Sequence, residues 1–402
     1  MARKSKKGWT AAGAARTARE YRVATTEFLR RAPIARMDRA QRLLDAFQLH
    51  QAHVGHDEAA ALMLITGLGY SEDWHPEHWY AAGEQVVDDE AADLAGADLY
   101  ILSPQMLDVV AAAAASLTFD DLSLLRADDL PSRSGLLVLP RPLLVKTVNG
   151  DVSDDRAFLW RGPVSMRMAD PSSGGFVSHP AVKISTYFDR DGPVQVDSFR
   201  QLLAQARTEG TPLPPLMLDG IQCFPLEFEP SNIHRKNLEA WATGARTVGA
   251  SQRELLADQG YDSEVVVSGD YVSGDEIDDV DGRFMLRFMY AFWRLCEQQI
   301  AQITEADVNH SARVTAARVQ APPEVRVVEL RPSRDRSPAP DEDGENLDRW
   351  NHRWIVRMHK VRQWYPSEQR HKVIYRGPYL KGPADKPLIG GEVVRGVTRQ
   401  HS

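Results

Sequence analysis

Apolar residues recur at three- and four-residue spacing through the first third of the chain. The period shortens to alternation in the middle third, returns to helical spacing, and alternates again near the end. From Thr25 to Gln51 the stripe Phe28, Leu29, Leu43, Leu44, Phe47 and Leu49 is interrupted by Pro33, which predicts two helices joined near Ala32-Pro33. Residues 2–24, rich in Ala and Arg, predict a loose arm and then a helix. Glu58 to Ile65 predicts a short helix ending at Gly67, and Ser71 to Tyr80 a loop leading into another. Ser103 before Pro104 is an N-cap with proline at the first helical position, opening a helix to about Leu117.

After Asp129 the pattern becomes that of strands. Leu136–Leu139 and Leu143–Val148 read as two short apolar strands split by Pro140 and Pro142. Phe158–Met168 alternates around Gly162-Pro163, and Val182–Phe188 alternates cleanly. Gly150-Asp151, Ser172–Gly175 and Asp191-Gly192 supply the turns, so a largely antiparallel sheet is expected. Residues 197–208 and 232–257 return to helix. Residues 281–304 predict a central core helix, with Phe284, Phe288, Phe292 and Trp293 at helical spacing. Val325–Leu330 is a further strand. The stretch from Arg331 to Gly344 is rich in Pro, Ser and charge and reads as a flexible excursion.

The final alternating stretch, Trp350 to Leu388, is the most distinctive chemically. Strands around Trp354–His359 and Lys372–Arg376 flank the turn Trp364-Tyr-Pro-Ser-Glu368, and Gly377-Pro378 and Gly382-Pro383 bracket Tyr379, Leu380 and Lys381. So short a segment holds too little apolar surface to fold well by itself, and its strands are expected to complete the central sheet. From Trp350 to Ser402 there are 11 Lys and Arg against 3 Asp and Glu. The first 349 residues carry 37 against 53, within a chain whose net charge is −8. An acidic body with a basic tail implies a polyanionic partner or docking of the tail on the body.

The tail pattern, a basic strand, an aromatic-Pro-Ser turn, a second strand and then Y-x-K-G-P-x-x-x-P-L, resembles the C-terminal signature of a family carried by phages, plasmids and other mobile elements of bacteria. Asp129-Leu-Pro-Ser-Arg-Ser-Gly-Leu-Leu-Val-Leu-Pro140 resembles a second marker of it. That family includes the type V-A anti-CRISPR that suppresses production of the RNA-guided nuclease it opposes. The resemblance covers about 50 of the 402 residues. It implies interference with an immune effector or its synthesis, at the level of translation.

The wider composition is that of an ordinary globular chain. Cys223 and Cys296 are the only cysteines, so a disulfide framework or Cys-rich zinc site is excluded and a reducing cytoplasm is the expected compartment. The basic N-terminus is followed by no apolar signal core, and the helix near Phe284 is interrupted by Arg287, Arg294 and Glu297, so no membrane association is expected. Walker and dinucleotide loops, G-x-S-x-G and H-E-x-x-H are absent from the sequence, which removes the common enzyme classes they mark.

Two residue groups support an enzymatic alternative, a metal-dependent nuclease or RNA-targeting toxin. His50, His53 and His56 at spacing three, or His75 and His78, offer imidazoles; Asp270, Asp275, Glu276, Asp278, Asp279 and Asp281 offer carboxylates for Mg²⁺. Gly55 interrupts the first set, His75 and His78 flank Pro-Glu beside two tryptophans, and six acids beside glycines read more simply as a solvated loop. No metal or other cofactor is therefore assigned.

The expected architecture is α+β: a helical N-terminal region (1–130), a central α+β core with a mostly antiparallel sheet (131–330), a linker (331–345) and a basic aromatic C-terminal β segment (346–402). The expected function is non-catalytic interference through binding. Arg357, Arg362, Trp364, Tyr365, Arg376, Tyr379 and Lys381 line the binding face. Guanidinium groups take anions there, and aromatic rings take a base or side chain. The expected partner is a host or rival protein, a nascent polypeptide, or an RNA or ribonucleoprotein. A structural or replication-associated phage or plasmid protein is the third alternative, and the pattern sets no oligomeric state.

Overall fold

The computed structural model describes residues 8–54, 76–123, 125–148, 150–170, 175–211, 213–228, 265–267, 276–298, 300–331, 352–356, 359–365, 370–376 and 379–381, with Thr243, Arg246 and Lys386. Within 359–381 it defines the backbone. The expected helix at 58–65, nearly all of that at 232–257 and nearly all of the linker lie outside these residues.

Three helices open the chain: α1 (Ala11–Arg31), α2 (Pro33–Val54) and α3 (Pro76–Gly96). Thr10 caps α1 by accepting from the Gly13 amide, and Ala32 is extended (φ −91°, ψ 113°), the conformation a following proline imposes. The break between α1 and α2 thus falls where Pro33 predicts it. Helix α3 starts at Pro76, so His78 lies in its first turn rather than in a loop. Strand β1 (Asp98–Leu102) then leads through the Ser103 cap, which accepts from the Met106 amide at 3.2 Å, into α4 (Pro104–Ser116).

The chain continues with β2 (Ser134–Lys146), β3 (Val152–Asp170), β4 (Gly175–Asp189), β5 (Val194–Val196), α5 (Asp197–Thr208), β6 (Leu216–Pro225), β7 (Val265–Val267), which pairs with β5 apart from the main sheet, and β8 (Ile277–Asp278). Helix α6 (Phe284–Cys296), β9 (Ala301–Glu305), α7 (His310–Ala317) and β10 (Val325–Leu330) complete the body. The main sheet runs β6-β4-β3-β2-β1-β10-β9, with β8 paired to β2. Most pairs are antiparallel, but β1 is parallel to both β2 and β10, and β8 to β2. The fold is α+β with a mixed, largely antiparallel sheet.

Helices cover both faces. Tyr100, Leu102, Leu137, Phe158 and Trp160 meet α4 and α6, while Leu99, Ile101, Leu136, Val138 and Leu159 meet α1 and α3. Strands buried on both sides need apolar residues at every position, which is why β1 reads DLYIL and the start of β2 reads GLLVL. Tyr100, Trp160, Phe292 and Trp293 form a ring cluster with centroids 5.3 to 6.1 Å apart.

Three expectations need correction. Pro140 and Pro142 do not divide two strands. They sit in a register shift between Val138 and Leu143 within the single strand β2, because a proline cannot donate to the ladder but can occupy a bulge. The expected helix at 281–304 ends at Cys296, and 301–305 becomes edge strand β9, with Ile303 and Thr304 suited to a pleated surface. The C-terminal strands do not join the central sheet. They pair with one another, β11 (Trp354–Val356) with β14 (Tyr379–Lys381) and β12 (His359–Tyr365) with β13 (Arg370–Arg376), because partners so near in sequence close only a small loop, at low entropic cost.

Gly135, the second residue of β2, lies opposite Trp160, and a Cβ there would lie 2.1 Å from the indole. The ring in turn donates from Nε1 to the Ser132 carbonyl at 3.0 Å. The Asp129–Pro140 marker is therefore a packing element, tied also by Asp129 to Arg294 at 2.8 Å. Gly135→Ala is expected to destabilise the fold by about 1–3 kcal/mol through overpacking, read as a lowered urea midpoint.

Candidate functional site

The C-terminal strands form two separate two-stranded ladders, β11 with β14 and β12 with β13. Strand β11 runs beside α4, which sets this end of the tail against the body, and Arg353 Nε donates to the Lys386 carbonyl at 2.7 Å within the tail itself. His352 and Trp354 have ring centroids 5.7 Å apart.

Directly opposed residues of an antiparallel pair share a face, and successive residues alternate. In the β12–β13 ladder one alternating set holds Lys360, Arg362 and Trp364 on the outgoing strand, with His371, Val373 and Tyr375 on the returning one. The other set holds His359, Val361, Gln363 and Tyr365 with Arg370, Lys372, Ile374 and Arg376. In the β11–β14 ladder Trp354 and Val356 share a set with Lys381 and Tyr379. Of the residues expected to line the binding face, Arg362 and Trp364 therefore share a set, Tyr365 and Arg376 occupy the opposite one, and Tyr379 and Lys381 lie together in the other ladder. Arg357 lies outside the described residues.

The acidic stretch adopts a different role from a solvated loop. Asp279 is buried and its Oδ1 accepts from the Arg283 and Phe284 amides at 3.0 Å each, capping α6. Arg287 pairs with Asp281 at 2.7 Å and reaches Asp279 at 3.4 Å. Burial raises Asp279 above the usual carboxylate range. It also works against ionisation of Asp281, but Arg287 holds that group below it. Asp278 is exposed beside β2, while Asp270 and Asp275 lie outside the described residues. His50 and His53 sit one turn apart on α2; His56 and His75 lie outside the described residues. Among the described residues, no group of three or more His, Cys, Asp or Glu side chains is arranged to hold a metal ion. Cys223 and Cys296 are free thiols, and burial pushes Cys296 up to about 12. No helix among the described residues is long and apolar enough to cross a membrane.

Two polar clusters escaped the sequence pattern. Arg39, Glu90 and Tyr187 are buried together: Arg39 Nη2 lies 2.8 Å from Glu90 Oε2, and the Tyr187 hydroxyl donates to Oε1 at 2.9 Å. Burial first, and the Glu90 charge second, push the Tyr187 phenol well above its ordinary value. On β3, Asp154 and Asp155 are both buried, with Ser153 Oγ donating to Asp155 at 2.7 Å.

A cavity of about 890 Å³ opens between the N-terminal half of α1, the end of β1, the middle of β2 and residues 306–315. Arg16, Arg19 and Arg156 are its cationic residues. Arg16 and Arg19 lie about one turn apart on α1, and the fold brings Arg156 of β3 to them.

Neither models of known families nor curated proteins match this chain.

Proposed function

We propose that this protein is a mobile-element-encoded interference protein that acts in the cytoplasm by binding RNA or a ribonucleoprotein, using the C-terminal hairpin as its platform. The observation that carries the reading is the register: Trp364, Tyr375, Lys360, Arg362 and His371 fall in one alternating set of the β12–β13 ladder. Aromatic rings interleaved with cations on a sheet face suit single-stranded RNA, whose bases stack while the phosphates pair with the cations. The charge division supports the same surface. The tail has an excess of basic residues and the body of acidic ones, so a polyanion is attracted to the tail and repelled elsewhere.

On this reading the target is the synthesis of an immune effector, engaged at its message or at the translating ribosome. The resemblance of the Trp364-Tyr-Pro-Ser and Tyr379-x-Lys-Gly-Pro patterns supports that choice of target.

The test is fluorescence anisotropy with a 20-nucleotide single-stranded RNA. Arg362→Glu combined with Trp364→Ala is expected to weaken binding at least tenfold, and Arg370→Glu with Lys372→Glu, in the opposite set, by much less. With about three phosphate contacts, log affinity falls against log salt with a slope near −2. Equal losses in the two double variants, or no binding by the wild type, would remove the hairpin as an RNA platform.

A further inference from the structure

We propose that the outer edge of β9 is a docking site for an extended basic peptide, which adds to the main sheet as one more antiparallel strand. The assignment does not rest on the reading of the C-terminal ladders. Strand β9 ends the sheet order, and among the described residues only β10 pairs with it. Gln302, Ile303, Thr304 and Glu305 are all exposed, and Ile303 is 42% exposed despite its apolar side chain. An uncovered edge strand offers its backbone groups to another chain, and main-chain hydrogen bonds then supply the affinity.

The ladder to β10 fixes which of those groups point outward. The Arg331 amide donates to the Ile300 carbonyl at 2.8 Å and the Ala306 amide to the Val325 carbonyl at 2.9 Å, so the even-numbered residues of this stretch bond to β10. In an antiparallel ladder the residues between them turn their amides and carbonyls the other way. Those residues are Ile303 and Glu305, with the carbonyl of Ala301, whose own amide donates to Gln298 at 3.1 Å. Strand β9 has no proline, no lysine and no register shift to hinder a partner. The edge strand at the other end of the sheet, β6, differs: Asp219 is an extra residue between its pairings with Thr186 and Tyr187.

Side chains decide the occupant, because opposed residues share a face. Ala301, Ile303 and Glu305 lie on the face of Val328 and Leu330, which belongs to the core under α4 and α6. An apolar residue opposite Ile303 covers its exposed side chain and extends that core. A cation is favoured opposite Glu305: exposed Asp307 follows it, and Arg326, its neighbour across the ladder, is already held by Asp98 at 2.7 Å. An antiparallel ligand therefore reads basic-x-apolar from its N-terminal end. Charge also argues against a second copy of this chain, since edge-to-edge pairing brings two acidic bodies together.

Fluorescence anisotropy of the full chain with labelled Lys-Thr-Val-Thr-Val tests the assignment, beside the same peptide beginning with Glu. The lysine peptide is expected to bind, and the glutamate peptide at least fivefold more weakly. N-methylation of the central Val removes the donor to the Ile303 carbonyl and is expected to weaken binding at least tenfold. The same change on the preceding Thr, whose amide points away from β9, has little effect. In the protein, Ile303→Lys weakens both peptides at least tenfold and Glu305→Lys reverses their order, each at an unchanged melting temperature because both side chains are exposed. Failure of the lysine peptide to bind at millimolar concentration, insensitivity to the Val N-methyl group, or an unchanged order in Glu305→Lys would overturn the proposal. A dimer in sedimentation velocity that Ile303→Lys dissociates would also overturn it, by assigning the edge to a second copy.

Discussion

Glu90→Ala is expected to destabilise the protein by about 3–5 kcal/mol, because it strands a buried guanidinium and a buried phenol at once. Arg39 is 7% exposed and Tyr187 0%, so water cannot replace the lost carboxylate without opening the layer between α2, α3 and β4. Asp38, 2.9 Å from Arg39 Nη1, retains part of the charge pairing, which limits the loss for Arg39 but not for Tyr187. Arg39→Met combined with Glu90→Leu is expected to be far less damaging than either single alanine variant, since it removes both charges and keeps the volume. Urea midpoints of the single and double variants make the comparison. Additive losses would show that the three groups do not act as one network.

The second large effect is a dependence of stability on pH centred on Asp154. This carboxylate is 2% exposed, and the Val194 amide, its hydrogen-bond donor from the start of β5, is a long 3.4 Å away. The turn before β5 closes over it so tightly that a Cβ at Gly192 would lie 1.8 Å from Oδ2. Burial, with added repulsion from Asp189 and Asp219, raises its pKa from 3.8 to about 7. The folded state therefore holds a proton that the unfolded chain releases near pH 4. Stability contributed by that proton is full below pH 4 and is lost as pH rises from about 4 to about 7. At 1.36 kcal/mol per pKa unit the loss is at most about 4 kcal/mol. Asp154→Asn keeps the shape without the ionisation, so the variant should match the wild type near pH 4 and exceed it by about 2–4 kcal/mol at pH 8. Because Asp155 is buried and shifted in the same direction, the variant's own profile is not flat; the difference between the two proteins carries the test. A difference independent of pH would contradict the assignment to Asp154.

Local chemistry made much of the fold legible. The helix break at Ala32-Pro33, the Ser103-Pro104 cap, the apolar core of α6 and the alternation of β3 and β4 each depend on neighbouring residues. Features set by distant partners were not legible. Strand β1 has five residues, too few to establish a period, and its all-apolar character follows from burial between two helical layers. Its parallel pairing with β10 joins residues more than two hundred positions apart. The prolines of β2 were misread as breaks because a bulge needs a partner strand to be visible. At the tail the aromatic and cationic residues were evident, but their division into two sets depends on register. A single constant register separates Tyr365 and Arg376 from Arg362 and Trp364.

The most direct measurement is an affinity pull-down of the expressed protein from a bacterial host, with and without RNase, comparing wild type with Arg362→Glu/Trp364→Ala. Recovery of RNA or ribosomal components that is abolished by RNase and by the double substitution is the predicted result. A single protein partner that survives RNase, or recovery unaffected by the substitutions, would contradict an RNA-binding hairpin.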